Sequence, residues 1–181
     1  YNFEDVLQVG GILNTFIRRS DRVRIACIAQ LVNVIAPIMT EDGGPAWRQT
    51  IYYPLYFASK YGRGYALRLI TDGPTYDSDE ADDVPYLDVS AAHDELGNMV
   101  TLFAVNRHPD SSLDLDTRLE GFAGARVVEQ HEMVHSDLRA VNTATQPNAV
   151  VPTQTGDAKI EDGRLRATLK PLSYTVIRLA V

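Results

Sequence analysis

With 181 residues, 45% of them hydrophobic and 23% charged, the chain is long enough for one good core, or for one domain joined to part of another. Its net charge of −7 argues against nucleic acid, whose phosphates demand a basic face. Its longest apolar run contains Arg24, Gln30 and Asn33 and falls short of the roughly 18 clean residues of a membrane span.

The opening residues already read as a helix, so an origin within a longer protein is expected. Asn2 stands where an N-cap belongs, and Glu4 and Asp5 complement the helix dipole. Val6, Val9, Leu13 and Phe16 recur at helical spacing, and Arg18 and Arg19 close the helix. The Gly10–Gly11 pair costs about 1 kcal/mol per glycine against alanine, a cost explained by close approach to a neighbouring strand. After the Ser20–Asp21 turn, Val23 to Val34 reads as a buried strand of a parallel sheet, its apolar character running on to Ile38. No second parallel strand is evident, and a lone one cannot be stable, so this run is expected to be self-associated, rearranged or covered. Met39 to Ala46 reads as a loop, and Thr50 to Tyr61 as a second helix with Pro54 near its first turn.

From about Tyr65 the pattern changes to short alternating runs: 66–70, 86–93, 99–107, 113–119, 125–134, 164–170 and 173–181. Asp72-Gly73-Pro74, Leu96-Gly97-Asn98 and Asp162-Gly163 punctuate them as turns. Many short strands so punctuated give an antiparallel sandwich or jelly roll. The expected fold class is therefore mixed α and β: a helix–strand–helix unit over 1–64, then a β-sandwich over 65–181.

Cys27, the single cysteine, excludes an internal disulfide and reads as a small core residue. His131-Glu132-Met133-Val134-His135 matches the zincin pattern H-E-x-x-H, but that chemistry requires a helix, where positions i and i+4 share a face. On a strand the two histidines would stand roughly 13 Å apart. The β-branched residues leading into the motif favour the strand, so no metal is expected there. The acidic loop Asp77 to Asp83 lacks EF-hand spacing and reads as solvated. Gln30, near the end of the apolar strand, fits either a ligand-facing amide or one satisfied inside the core. Trp47, in the following loop, fits either a sugar-stacking ring or a staple of the loop.

Residues Tyr1 to Asp5, Asn14 to Phe16, Asp21 to Val23, Ala29 to Ile38 and Gly44 to Pro54 resemble α-L-arabinofuranosidases of glycoside hydrolase family 51. Asp137 to Thr143, Pro147 to Pro152 and the closing Lys170 to Val181 are similar to that family's sandwich domain. The resemblance implies the end of a (β/α)8 barrel followed by a jelly roll, within a hydrolase that cleaves terminal arabinofuranosyl groups from arabinan or arabinoxylan. Such retaining glycosidases use two carboxyl groups, one as acid and one as nucleophile. The family carries both on earlier barrel strands, so no catalytic residue is expected in this chain, and the chain alone is expected to be inactive. The resemblance assigns Gln30 to the arabinofuranose and sets Trp47 at the border of the substrate cleft. It implies no cofactor and no metal, a homo-oligomer, and a cytoplasmic location. The rival class is a non-catalytic sandwich module that serves assembly or carbohydrate binding.

Overall fold

The structure, a computed structural model, describes residues 1–181. In chain order the elements are α1 (Phe3–Arg18), β1 (Ile38–Thr40), β2 (Ala46–Arg48), α2 (Tyr52–Tyr61), β3 (Tyr65–Ala66), β4 (Thr75–Tyr76), β5 (Val84–Pro85), β6 (Leu87–Asp94), β7 (Met99–Asn106), β8 (Leu113–Arg118), β9 (Arg126–Met133), β10 (Lys159–Glu161), β11 (Arg164–Leu169) and β12 (Ser173–Ala180). The fold is mixed α and β, with every strand pair antiparallel.

A five-stranded sheet, ordered β3-β6-β7-β12-β9, occupies the middle of the molecule. Alternation along its strands divides the side chains cleanly between two faces. Val89, Ala91, Val100, Leu102, Ala104, Ile177 and Leu179 point to one side, where they pack with Leu115, Leu165, Ala167 and Leu169 of the three-stranded sheet β10-β11-β8. Phe103, Val105, Met133, Tyr174 and Val176 point to the other side and pack with Phe3 and Val6 of α1 and Tyr53 and Phe57 of α2. The helices thus form a third layer.

Asn2 caps α1 as its sequence indicates: its side chain accepts from the Asp5 N–H at 3.1 Å, and the Asp5 carboxylate accepts from the Asn2 N–H at 2.8 Å. The buried line of α1 is Phe3, Val6, Gly10 and Asn14, rather than the stripe through Val9, Leu13 and Phe16. Gly10 sets that line, because only a residue without a side chain lets the helix axis settle onto the sheet there. Asn14 donates to the Asp88 backbone carbonyl and carboxylate, each at 3.1 Å, and accepts from Ser90 Oγ at 2.8 Å. Arg18 donates to the Val89 carbonyl at 2.9 Å. Arg18 thereby satisfies a carbonyl on the β6 edge that β3 is too short to cover.

The expected strand over Val23 to Val34 does not form. Those residues have no regular structure, and Ile25, Leu31 and Val34 are 83%, 66% and 78% exposed. A parallel strand needs a neighbour for its N–H and C=O groups; here only an isolated parallel bridge, Val32 to Ile38, is made. Asn33 and Val34 both take positive φ, 62° and 56°, which for β-branched Val34 is a strained conformation. Cys27, expected in the core, is exposed for the same reason.

The loop expected over Met39 to Ala46 is shorter than that, since β1 and β2 close it as a hairpin. In the sandwich, the strand expected over 66–70 contracts to Tyr65–Ala66, followed by one bond from the Leu67 N–H to the Ala91 carbonyl. Strand β9 holds His131, Glu132 and Met133 in extended backbone, as the β-branched lead-in predicts. The Asp162-Gly163 turn has φ values of 50° and 71°, the positive pair that a two-residue hairpin requires between β10 and β11.

Candidate functional site

Trp47 lies at the centre of hairpin strand β2, half-buried. Its indole Nε1–H donates to the Asn142 carbonyl at 3.1 Å. Asn142 is itself 6% exposed and is used completely. Its amide donates to the carbonyls of Arg48 at 3.0 Å and Val150 at 2.9 Å, and its side-chain oxygen accepts from the Val150 N–H at 2.8 Å. One buried amide therefore ties the hairpin to the polar connection after β9. The sequence gives no sign of that role, because an asparagine in a polar stretch reads as a turn residue.

Beside this node lies a cleft of about 360 Å³ lined by Ile38, Ala46, Trp47, Arg48, Tyr52, Pro147 and Asn148. Gln30 is not among its lining residues. Gln30 is exposed in the irregular segment before the hairpin, so the structure does not bring the two sequence-derived candidates together around one cavity.

Arg48 and Tyr52 also line a second, polar groove of about 630 Å³ between α2 and β9. The Arg48 guanidinium sits 5.0 Å from the centre of the Tyr52 ring. The Tyr52 and Tyr56 rings are near-parallel at 14° with centroids 5.9 Å apart, and the Lys60 ammonium lies 5.2 Å from the Tyr56 centroid. The four-residue spacing of Tyr52, Tyr56 and Lys60 places them one above another along α2, and Arg48, at the end of β2, meets the column at its N-terminal end. The neighbouring Tyr56 and Tyr61 phenols raise the Lys60 pKa. Burial raises that of the Tyr53 phenol, with the Arg48 guanidinium working against it.

On the β9 side Glu129 binds Arg178 Nη1 at 2.6 Å, His131 Nε2 at 3.0 Å and the Tyr61 hydroxyl at 3.3 Å. The Arg178 guanidinium stacks 4.0 Å from the Tyr61 ring centre. Burial pushes the Glu129 carboxyl up, but the His131 hydrogen bond and the Arg178 charge outweigh it and hold the carboxyl below the usual range. The two histidines of the H-E-x-x-H sequence have different partners: His131 holds Glu129, and His135 Nδ1 accepts from the Asp137 N–H at 3.0 Å. Glu132, on the opposite face of the strand, pairs with Lys170 at 2.6 Å.

A model of the alpha-L-arabinofuranosidase C-terminal domain family matches residues 1–173. The chain belongs to that family, the class that its sandwich and capping helices also define. It is 51% identical over 179 residues to an intracellular exo-alpha-(1->5)-L-arabinofuranosidase of Halalkalibacterium halodurans, and 46% identical to a Bacillus subtilis protein of the same activity name. Each alignment covers 99% of this chain and 35% of the relative. The chain thus spans about a third of the length of these curated relatives. Among solved structures, a family 51 alpha-L-arabinofuranosidase from Bifidobacterium longum superposes with a TM-score of 0.91 at 36% identity, over 98% of this chain and 35% of that one. An alpha-L-arabinofuranosidase from Thermotoga maritima, solved with arabinose, gives 0.86 at 26% identity, over 100% and 39%.

Proposed function

We propose that the chain is the C-terminal part of a retaining α-L-arabinofuranosidase that releases terminal non-reducing arabinofuranosyl groups from arabinan, arabinoxylan and their oligosaccharides. The observation that carries this reading is the 51% identity, over 99% of the chain, to a relative named for that exo-activity. In the whole enzyme, two carboxyl groups outside these residues supply the acid and the nucleophile, and the 181 residues alone have no turnover. Residues 1–64 end the catalytic barrel and residues 65–181 form the sandwich. The exposed apolar side chains of Ile25, Leu31 and Val34 support that division, since parallel neighbours would bury them and turn the run into a strand. Gln30, at the end of that strand, then offers its amide to the arabinofuranose ring, and Trp47 borders the cleft. The enzyme is a cytoplasmic homo-oligomer; the word intracellular in the relatives' names supports the compartment.

The test is a chimera in which this chain replaces the matching C-terminal third of the Halalkalibacterium halodurans enzyme. Hydrolysis of an aryl α-L-arabinofuranoside is expected from the chimera and not from the 181 residues alone. Gln30→Ala is expected to lower chimera turnover by at least tenfold with folding intact. A folded but silent chimera, or turnover by the isolated chain, overturns the reading.

A further inference from the structure

The groove between α2 and β9 has an unusual charge balance for a chain of net charge −7. Its one carboxylate, Glu129, is already paired with Arg178 and hydrogen-bonded to His131. Arg48 and Lys60, at the two ends of the tyrosine column, form no ion pair with any carboxylate. The Arg48 guanidinium lies beside the Tyr52 ring and the Tyr53 phenol, neutral groups that leave its charge unpaired, and the exposed Gln154 amide on the opposite wall makes no hydrogen bond. Lys60 gives one bond, to the Tyr56 hydroxyl at 2.8 Å, and keeps N–H groups to spare. Hydrogen-bond donors and positive charge thus exceed what the groove itself can satisfy.

We propose that this groove binds an oligosaccharide that carries carboxylates, such as a run of uronate residues. Arg48 receives a carboxylate through its planar fork and Lys60 a second one further along the chain. The Gln154 amide and the phenolic hydroxyls of Tyr52 and Tyr56 lie between them for the ring hydroxyls. Three observations select an extended sugar over a compact anion. The two cations stand at opposite ends of a column whose successive steps are 5.0, 5.9 and 5.2 Å. The groove, at about 630 Å³, falls within the range of small-molecule sites. Its wall between the charges includes the Tyr52 and Tyr56 hydroxyls and the Gln154 amide, neutral groups that both donate and accept. The inference is drawn from the groove's own residues and stands apart from the proposed hydrolysis.

The test is calorimetric titration of the 181-residue chain with tetragalacturonate, with arabinotetraose as the neutral sugar and polyglutamate as the polyanion without sugar rings. Tetragalacturonate is expected to bind at least tenfold more tightly than either. Arg48→Gln and Lys60→Gln are each expected to weaken it about tenfold, with the unfolding midpoint unchanged, while Arg63→Gln, just beyond the groove, leaves it unaltered. No binding of tetragalacturonate, equal binding of polyglutamate, tighter binding of arabinotetraose, or an equal loss in Arg63→Gln overturns the proposal. Because the readout is binding rather than turnover, its failure is distinguishable from failure of the glycosidase reading.

Discussion

Gly10 of α1 rests on the ring of Tyr174 of β12: a Cβ built at position 10 would lie 2.8 Å from Tyr174 Cδ2 and 3.1 Å from Val105 Cγ2. Tyr174 is 1% exposed and Val105 fully buried, so neither can yield. Overpacking in Gly10→Ala should cost about 1–3 kcal/mol against the roughly 1 kcal/mol that alanine adds to helix propensity, a net loss of up to about 2 kcal/mol. Gly11→Ala, whose Cβ would meet nothing closer than 3.6 Å, should be neutral or mildly stabilising. Urea midpoints of the two variants decide it; equal midpoints would disprove the contact.

Asp88 is the ionic counterpart of that contact. Its side chain is 7% exposed and receives Arg18 at 2.7 Å together with Arg107 and Asn14. Removing the carboxylate leaves two guanidinium groups without their partner beneath the helix. Asp88→Ala should cost about 1–3 kcal/mol, because the guanidiniums left behind are about a third exposed and keep the Val89 and Pro85 carbonyls as acceptors. Chemical denaturation of the variant checks this, and a loss under 1 kcal/mol would show that water takes the place of the carboxylate.

These two contacts mark how far the sequence could be read. The Gly10–Gly11 pair signalled a close approach to a strand, and the structure supplies that approach through Tyr174. Strands β6, β7, β8, β9, β11 and β12 were legible because their alternation and turns are local properties. The sandwich arrangement was legible in kind, but the helical layer on its second face was not, since periodicity does not say which sheet a helix covers. The Val23 to Val34 run misled because a strand is a relation between segments; its apolar residues state a preference that no neighbour here fulfils. The Arg48–Tyr52–Tyr56–Lys60 column was present as a four-residue spacing, yet only the packing of α2 against β9 turns that spacing into the wall of a groove.

Trp47 is the chain's single tryptophan, so its fluorescence reports directly on the Asn142 node. Asn142→Ala leaves the Arg48 carbonyl and both the N–H and the carbonyl of Val150 without their side-chain partner, which should cost about 1–3 kcal/mol. Loosening of the hairpin should admit water to the indole and shift its emission to the red before global unfolding. An unchanged emission maximum with full stability would mean that the hairpin is held by other contacts.

Glu129 makes stability depend on acid in a stated direction. Its carboxyl is held below the usual range in the folded chain by His131 and Arg178, against the opposing effect of burial. A carboxyl depressed by folding adds stability that is fully present above its unfolded pKa, about 4.3 for glutamate, and is lost as pH falls through the lower folded value. Asp157 acts in the same sense: burial raises it, but its hydrogen bond from the Thr168 N–H, 2.9 Å long, prevails and lowers it. The unfolding midpoint should therefore fall between pH 5 and pH 3, within about the two units around the carboxylate range. Glu129→Gln should be less stable than the parent chain at pH 7 and lose less on acidification, so that the two curves converge towards pH 3. Parallel curves would show that the Glu129–Arg178–His131 cluster contributes nothing to folding through its charge.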